Sequence, residues 1–181
     1  MEKQLTFEGI EIRRPFNEVV SKLEAKGFCI ETSPFGDSIM TASLKGTYAD
    51  YNGICKIIVS TDENGIVRTL LISGEDYYSV DAVLEDFDYF HNKAEEYQSL
   101  GFELQKEEDN YFDEDNIDSI RDGSLSKAAL FERKTDDSVI MVNVTADDEY
   151  DTFHVSMSIV CGGVSDKDIN IQQDEIEFLE S

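Results

Sequence analysis

"EYQSLGFELQ", residues 96–105, restates in outline a stretch met 74 residues earlier, "KLEAKGFCIE", residues 22–31. Each reads as the last turn of a helix, a Gly-Phe junction and the opening of a strand. A glycine directly after an apolar-periodic run stops a helix by taking a left-handed conformation. The echo continues downstream. "CKIIVSTDENGIVRTLLISG" (55–74) matches "IMVNVTADDEYDTFHVSMSIV" (140–160): apolar strand, acidic turn, second apolar strand. The Gly-Phe pairs lie 74 residues apart and the VST/VTA pairs 85 apart. The difference of eleven falls on "EEDNYFDEDNIDS" (107–119), which therefore reads as an insertion between strands of the later half.

Working outward, "PFNEVVSKLEAKG" (15–27) predicts a helix with Phe16, Val19, Val20 and Leu23 on its buried stripe, Pro15 in the first turn and Gly27 as the stop. A second helix is expected from Ser79 to Leu100, with Val80, Val83, Leu84, Phe87, His91, Ala94 and Tyr97 as its stripe. Ile140, Val142 and Val144 alternate along one strand, and Phe153, Val155, Met157 and Ile159 along the next. The intervening Thr152, His154, Ser156 and Ser158 are polar, the signature of a sheet with one buried and one wet face. Asp62-Glu63-Asn64-Gly65 predicts a hairpin turn. Strands also follow from 37–46 and 127–134, and a leading strand over 5–12 is expected to join a sheet edge. The fold class is α+β: two degenerate helix-plus-four-strand repeats forming an antiparallel sheet with helices on one face. The first repeat covers 1–74, the second 75–163 with an acidic insertion at 107–126, and 164–181 is an acidic tail.

Tandem helix-plus-four-strand units joined by such Gly-Phe junctions resemble the beta-lactamase-inhibitor-protein-like architecture. The opening "LTFEGIEI…FNEVVSKLEAKGF" is also similar to small uncharacterised proteins of gut anaerobes. The first resemblance implies a sheet used as a binding platform without catalysis, and it transfers no functional residues.

Charge separates the halves. The chain carries 40 acids and 15 bases, a net of -25, yet residues 1–74 hold 10 acids and 8 bases while residues 75–181 hold 30 and 7. An acidic second half argues against binding nucleic acid, where affinity comes from Lys and Arg releasing counterions, and against anionic membranes. It suits a basic protein partner, steered by Glu107, Glu108, Asp109, Asp113, Glu114, Asp115, Asp147, Asp148 and Glu149 and anchored by Tyr111, Phe112 and Tyr150. The expected function is a non-catalytic binding protein, inhibitor- or immunity-like; the alternatives are a small-molecule or metal-ion binding domain and, third, a hydrolase.

The chemistry-bearing residues offer little else. Counted from Asp113, an EF-hand loop would need a side-chain ligand at Ile117, Gly at Asp118 and Glu at Ser124, so that motif fails. No metal or other cofactor is expected. His91 reads as a core or boundary histidine. His154 shares a strand face with Ser156 and Ser158, but no G-x-S-x-G elbow supports a Ser–His pair. Cys29, Cys55 and Cys161 form no CxxC and read as small core residues. Gly162-Gly163 lacks the pattern of a phosphate loop and reads as the end of the last strand. "MEKQLTFEG" has no apolar signal core, so the chain as given reads as cytoplasmic, or as periplasmic or secreted had a leader been trimmed.

Overall fold

The computed structural model describes residues 3–35, 39–110, 112–147 and 149–162, with the backbone alone for 32–35 and 109. Both Gly-Phe junctions close a helix in the same way. Gly27 and Gly101 adopt φ of 103° and 98°. Phe28 N donates to Leu23 O and Phe102 N to Tyr97 O, while Gly27 N and Gly101 N donate to Glu24 O and Gln98 O. These paired bonds are a Schellman cap, and in each case the phenylalanine that follows is buried beneath the helix end.

Helix α1 (Phe16–Ala25) leads into strands β3 (Cys29–Phe35), β4 (Thr41–Gly46), β5 (Cys55–Thr61) and β6 (Val67–Ser73). Helix α2 (Val80–Glu95) runs on as a 3-10 segment, Glu96–Leu100, and leads into β7 (Glu103–Asp109), β8 (Lys127–Arg133), β9 (Ser138–Asp147) and β10 (Thr152–Val160). The eight strands form one antiparallel sheet in the order β3-β4-β5-β6-β10-β9-β8-β7. The molecule is therefore α+β with a large antiparallel sheet. By register, Ile57, Val59, Leu70, Ile72, Val142, Val155, Met157 and Ile159 share one face, and they form a single core with the buried stripes of α1 and α2.

Three expectations about the elements need correction, besides those on single residues and on the insertion given below. The stretch 5–12 does not join a sheet edge. It folds on itself as a two-stranded hairpin, β1 (Thr6–Phe7) with β2 (Ile10–Glu11), because Glu8 and Gly9 both take positive φ, 51° and 77°, as a type I′ turn requires. Its Leu5, Phe7, Ile10 and Ile12 are core residues. On α2 the stripe runs through Asp86 and Phe90, both buried, whereas His91 and Leu84 sit at its margin. The polar side of β10 is not wet: Thr152, His154, Ser156 and Ser158 are all buried in the middle of the sheet.

The turn between β5 and β6 is a hairpin, as expected, with only Gly65 at positive φ. Asp62 organises it: its Oδ1 accepts from Asn64 N at 2.8 Å and Ile66 N at 3.0 Å, and its Oδ2 pairs with Arg68 at 3.0 Å. The acidic insertion starts later than the composition suggested. Glu107, Glu108 and Asp109 belong to β7, paired with Ala129, Ala128 and Lys127 of β8. Residues beyond Asn110 form a 3-10 turn at Glu114–Asn116 and the short helix α3 (Ile117–Arg121). The sequence reading of 164–181 falls outside the described residues.

Candidate functional site

The β9–β10 tip, the insertion and the β6–α2 connection all meet at one end of the sheet. Strand pairing brings Asp147 opposite Thr152 and Lys127 opposite Asp109, so the insertion and the tip leave the sheet on the same side. Arg121 of α3 lies 3.9 Å from Asp151 of the tip, with its guanidinium 5.9 Å from the centre of the Phe153 ring. Phe153 in turn bridges backbone to backbone with Tyr77, which places Asp76 and Tyr78 at the same end.

The structure divides the candidate partner-binding residues. Glu114, Asp115, Glu149 and Tyr150 are exposed at this end, and Asp147 lies on its inner side. Asp113 is part of the scaffold: its side chain caps the 3-10 turn by accepting from Asp115 N and Asn116 N, and Asn116 returns the bond to its backbone. Phe112 is corrected outright. It is buried and packs into the core with Ile120, pinning the insertion to its own domain instead of offering an anchor to a partner. Glu107 turns to the helix side and lies 3.2 Å from His91 Nε2, while Glu108 bonds Ser126 Oγ and lies 3.2 Å from Lys106. Tyr111, Asp148 and the side chain of Asp109 lie outside the described residues. Tyr78, at 74% the most exposed large hydrophobic among the described residues, was missed; its position one residue before the N-cap of α2 made it look like linker.

On the sheet face away from the helices this end holds a cavity of about 690 Å³. Lys45, Lys56, Glu75, Asp76, Asp147 and His154 are among the residues that line it. Lys45 and Lys56 face each other across β4 and β5, an arrangement that raises the energy of a strand pair. Lys45 is relieved by Glu31 at 2.8 Å, which raises its pKa; Lys56 makes no ion pair among the described residues. Lys56→Gln should therefore raise the melting temperature by about 1–3 °C, read by calorimetry; a lower value would show that the lysine has a stabilising partner.

His154 has its pKa lowered by burial, against the pull of Asp76 and Asp147. Its Nδ1 lies 3.6 Å from Asp76, and no hydrogen bond to Ser156 or Ser158 is present among the described residues. The folded state favours the neutral ring. Its stability contribution is whole above the unfolded pKa of about 6.5 and is lost as pH falls through that value toward the lower folded one. His154→Gln should flatten the pH dependence of the urea midpoint between about pH 7 and 5; an unchanged slope there would mean the ring titrates alike in both states.

The backbone under the cavity is fixed by a trio, buried Tyr51 and Asp86 with half-buried Tyr77. Tyr51 donates to Asp86 Oδ2 at 2.6 Å, Tyr77 donates to Asp86 Oδ1 at 3.2 Å, and Glu75 N donates to the Tyr51 oxygen at 2.8 Å. Burial raises the Asp86 pKa despite both phenols. Gly74 makes room for the trio: a Cβ there would come within 2.7 Å of both the Asp86 carboxylate and the Tyr51 oxygen. The three cysteines are free thiols; burial pushes Cys55 and Cys161 up to about 12, and only Cys29, expected in the core, is exposed. Among the described residues no three of His, Cys, Asp or Glu converge as metal ligands, and no helix is long and apolar enough to cross a membrane. Compared with known proteins, the chain matches no family, no curated protein and no solved structure.

Proposed function

We propose that this is a non-catalytic binding protein, inhibitor- or immunity-like, that docks a basic protein partner on the acidic end of its sheet. The observation that carries the reading is the contact of Arg121 with Asp151, which joins two acidic segments distant in sequence into one surface. Glu114, Asp115, Asp118 and Glu149 are exposed on it, and Asp76 and Asp147 extend it toward the cavity. Such a surface accelerates encounter with a cation-rich partner, and the exposed Tyr78 and Tyr150 supply rigid amphipathic area to hold it. The two halves are read as degenerate copies. Support comes from the identical caps at Gly27 and Gly101 and from a strand order that runs outward alike from the β6–β10 seam.

The test is capture at low salt, identification of the bound protein, and association kinetics with it. Replacing Glu114, Asp115, Asp118 and Glu149 with their amides, Asp113 being kept as the cap, should slow association about tenfold or more and flatten its salt dependence. Tyr78→Ser should act on dissociation instead. An association rate indifferent to the four neutralisations would remove this surface from the account.

A second reading rests on the cavity itself. A concavity of about 690 Å³ with lysines, carboxylates and a histidine converging on it falls in the range of small-molecule sites. A fragment screen reading the amide resonances of Lys56, Ser73 and His154 tests it; no fragment shifting all three would dismiss it.

A further inference from the structure

At the opposite end of the sheet one cavity is lined by more bases than acids. Where β8 ends, β9 begins and β10 gives out, a second cavity of about 500 Å³ is lined by Lys3, Arg13, Arg14 and Arg133, against only two carboxylates, Glu11 and Asp136. Four of the chain's 15 bases thus line one concavity in a protein of net charge -25. The carboxylates are already engaged. Asp136 forms a forked pair with Arg133, at 3.1 and 2.6 Å. Glu11 lies 3.9 Å from Arg14, whose stronger contacts are with Glu18 at 3.3 Å. Two cations are left without a countercharge: Lys3, whose ammonium donates to the Ser99 carbonyl at 3.0 Å, and Arg13, which makes no ion pair among the described residues.

The floor is rigid. Arg133, 4% exposed, also donates to the Lys3 carbonyl at 2.9 Å and to the Leu100 carbonyl at 3.3 Å, so the segment that carries Lys3 is tied to the end of β8. Ser138, fully buried, accepts from Gly162 N at 2.7 Å and holds the exit of β10 against it. Backbone held this firmly presents the loose cations at low entropic cost.

We propose that this cavity binds a phosphate monoester. Two uncompensated cations balance a dianion and over-balance a carboxylate. The guanidinium fork of Arg13 matches two phosphate oxygens while the Lys3 ammonium acts as a point charge on a third. The volume exceeds what a bare phosphate fills and leaves space for a small organic group. This site is separate from the acidic surface and does not depend on the docking of a basic partner.

The test uses the full chain, isotopically labelled, titrated at constant ionic strength with inorganic phosphate, glycerol phosphate and acetate while the amide resonances of Arg13, Ser138 and Cys161 are followed. Saturable shifts are expected with both phosphates, glycerol phosphate binding at least as tightly, and acetate binding about tenfold or more weakly. Arg13→Gln should weaken phosphate about tenfold or more, the loss of one charge-assisted interaction, while Lys26→Gln, at the end of α1 and outside the cavity, should leave it unchanged. Both lysine and arginine variants lie at exposed positions, so folding is retained and checked by the same spectra. No saturable shift, acetate binding as tightly as phosphate, or equal affinity in Arg13→Gln would each overturn the proposal.

Discussion

Phe90→Ala should destabilise the protein by about 3–5 kcal/mol, while His91→Ala, one residue on, should cost only about 1 kcal/mol. Phe90 is fully buried and is the hub of an aromatic cluster, its ring centre 5.2 Å from that of Tyr89, 5.6 Å from Tyr51 and 6.4 Å from Tyr48. Those rings come from α2 and from the β4–β5 connection, so the cavity left by alanine cannot be closed by the motion of one element. His91 sits at the helix margin between Phe87 and Phe131, its side chain 17% exposed. Its removal opens a gap that water can enter. A loss on the Phe90 scale is a large share of a typical total of about 5–15 kcal/mol and should lower the melting temperature by roughly 10 °C. Urea denaturation of the two variants checks the contrast. Equal losses would place the core stripe of α2 where the sequence alone put it, through His91.

That contrast marks where sequence reasoning ran out. Helix ends, strand alternation and the β5–β6 turn are local, and they were legible: Gly27, Gly101 and Gly65 take the conformations their neighbours demanded, while the Glu8-Gly9 turn, equally local, was read through as one strand. What was not legible was partnership across the chain. Asp86 reads as a surface acid suited to a helix start, yet it is buried because Tyr51, 35 residues away, and Tyr77 donate to it. Phe112, set among acids, reads as an anchor for a partner or equally as a pin to its own domain, and burial with Ile120 selects the pin. For the site, the concentration of charge in the second half was plain from composition. The meeting of the insertion with the β9–β10 tip was not, since it depends on strand register and on the Arg121–Asp151 contact. The basic cavity at the other end was invisible for the same reason: Lys3, Arg13 and Arg133 are spread over most of the chain and meet only through β1, β2 and the end of β8.

Arg133→Met is the second large effect, about 3 kcal/mol, because it strips a half-buried carboxylate and two carbonyls of a buried partner while keeping the apolar stem. Arg133 is 4% exposed, and its ion-pair distance to Asp136 is 2.6 Å. Burial pushes the Asp136 pKa up, but the bonds from Arg133 and Ser138 outweigh it, and the net shift is downward. A carboxyl held below its unfolded value contributes stability that is present above about pH 4 and is lost as pH falls through the folded pKa. In Arg133→Met that downward pull weakens, so the variant should lose less further stability than the wild type on acidification below about pH 4, starting from a lower plateau at neutral pH. The double variant Arg133→Met/Asp136→Ala removes the stranded charge and should recover a substantial part of the loss, since a buried pair replaced by apolar groups is often near neutral. Recovery is expected to be incomplete, because Arg133 also serves the carbonyls of Lys3 and Leu100, which the double variant leaves unserved. Thermal and urea unfolding of the single and double variants across pH measure both effects. A double variant no more stable than the single would show that those two carbonyl bonds, not the Asp136 carboxylate, make Arg133 necessary.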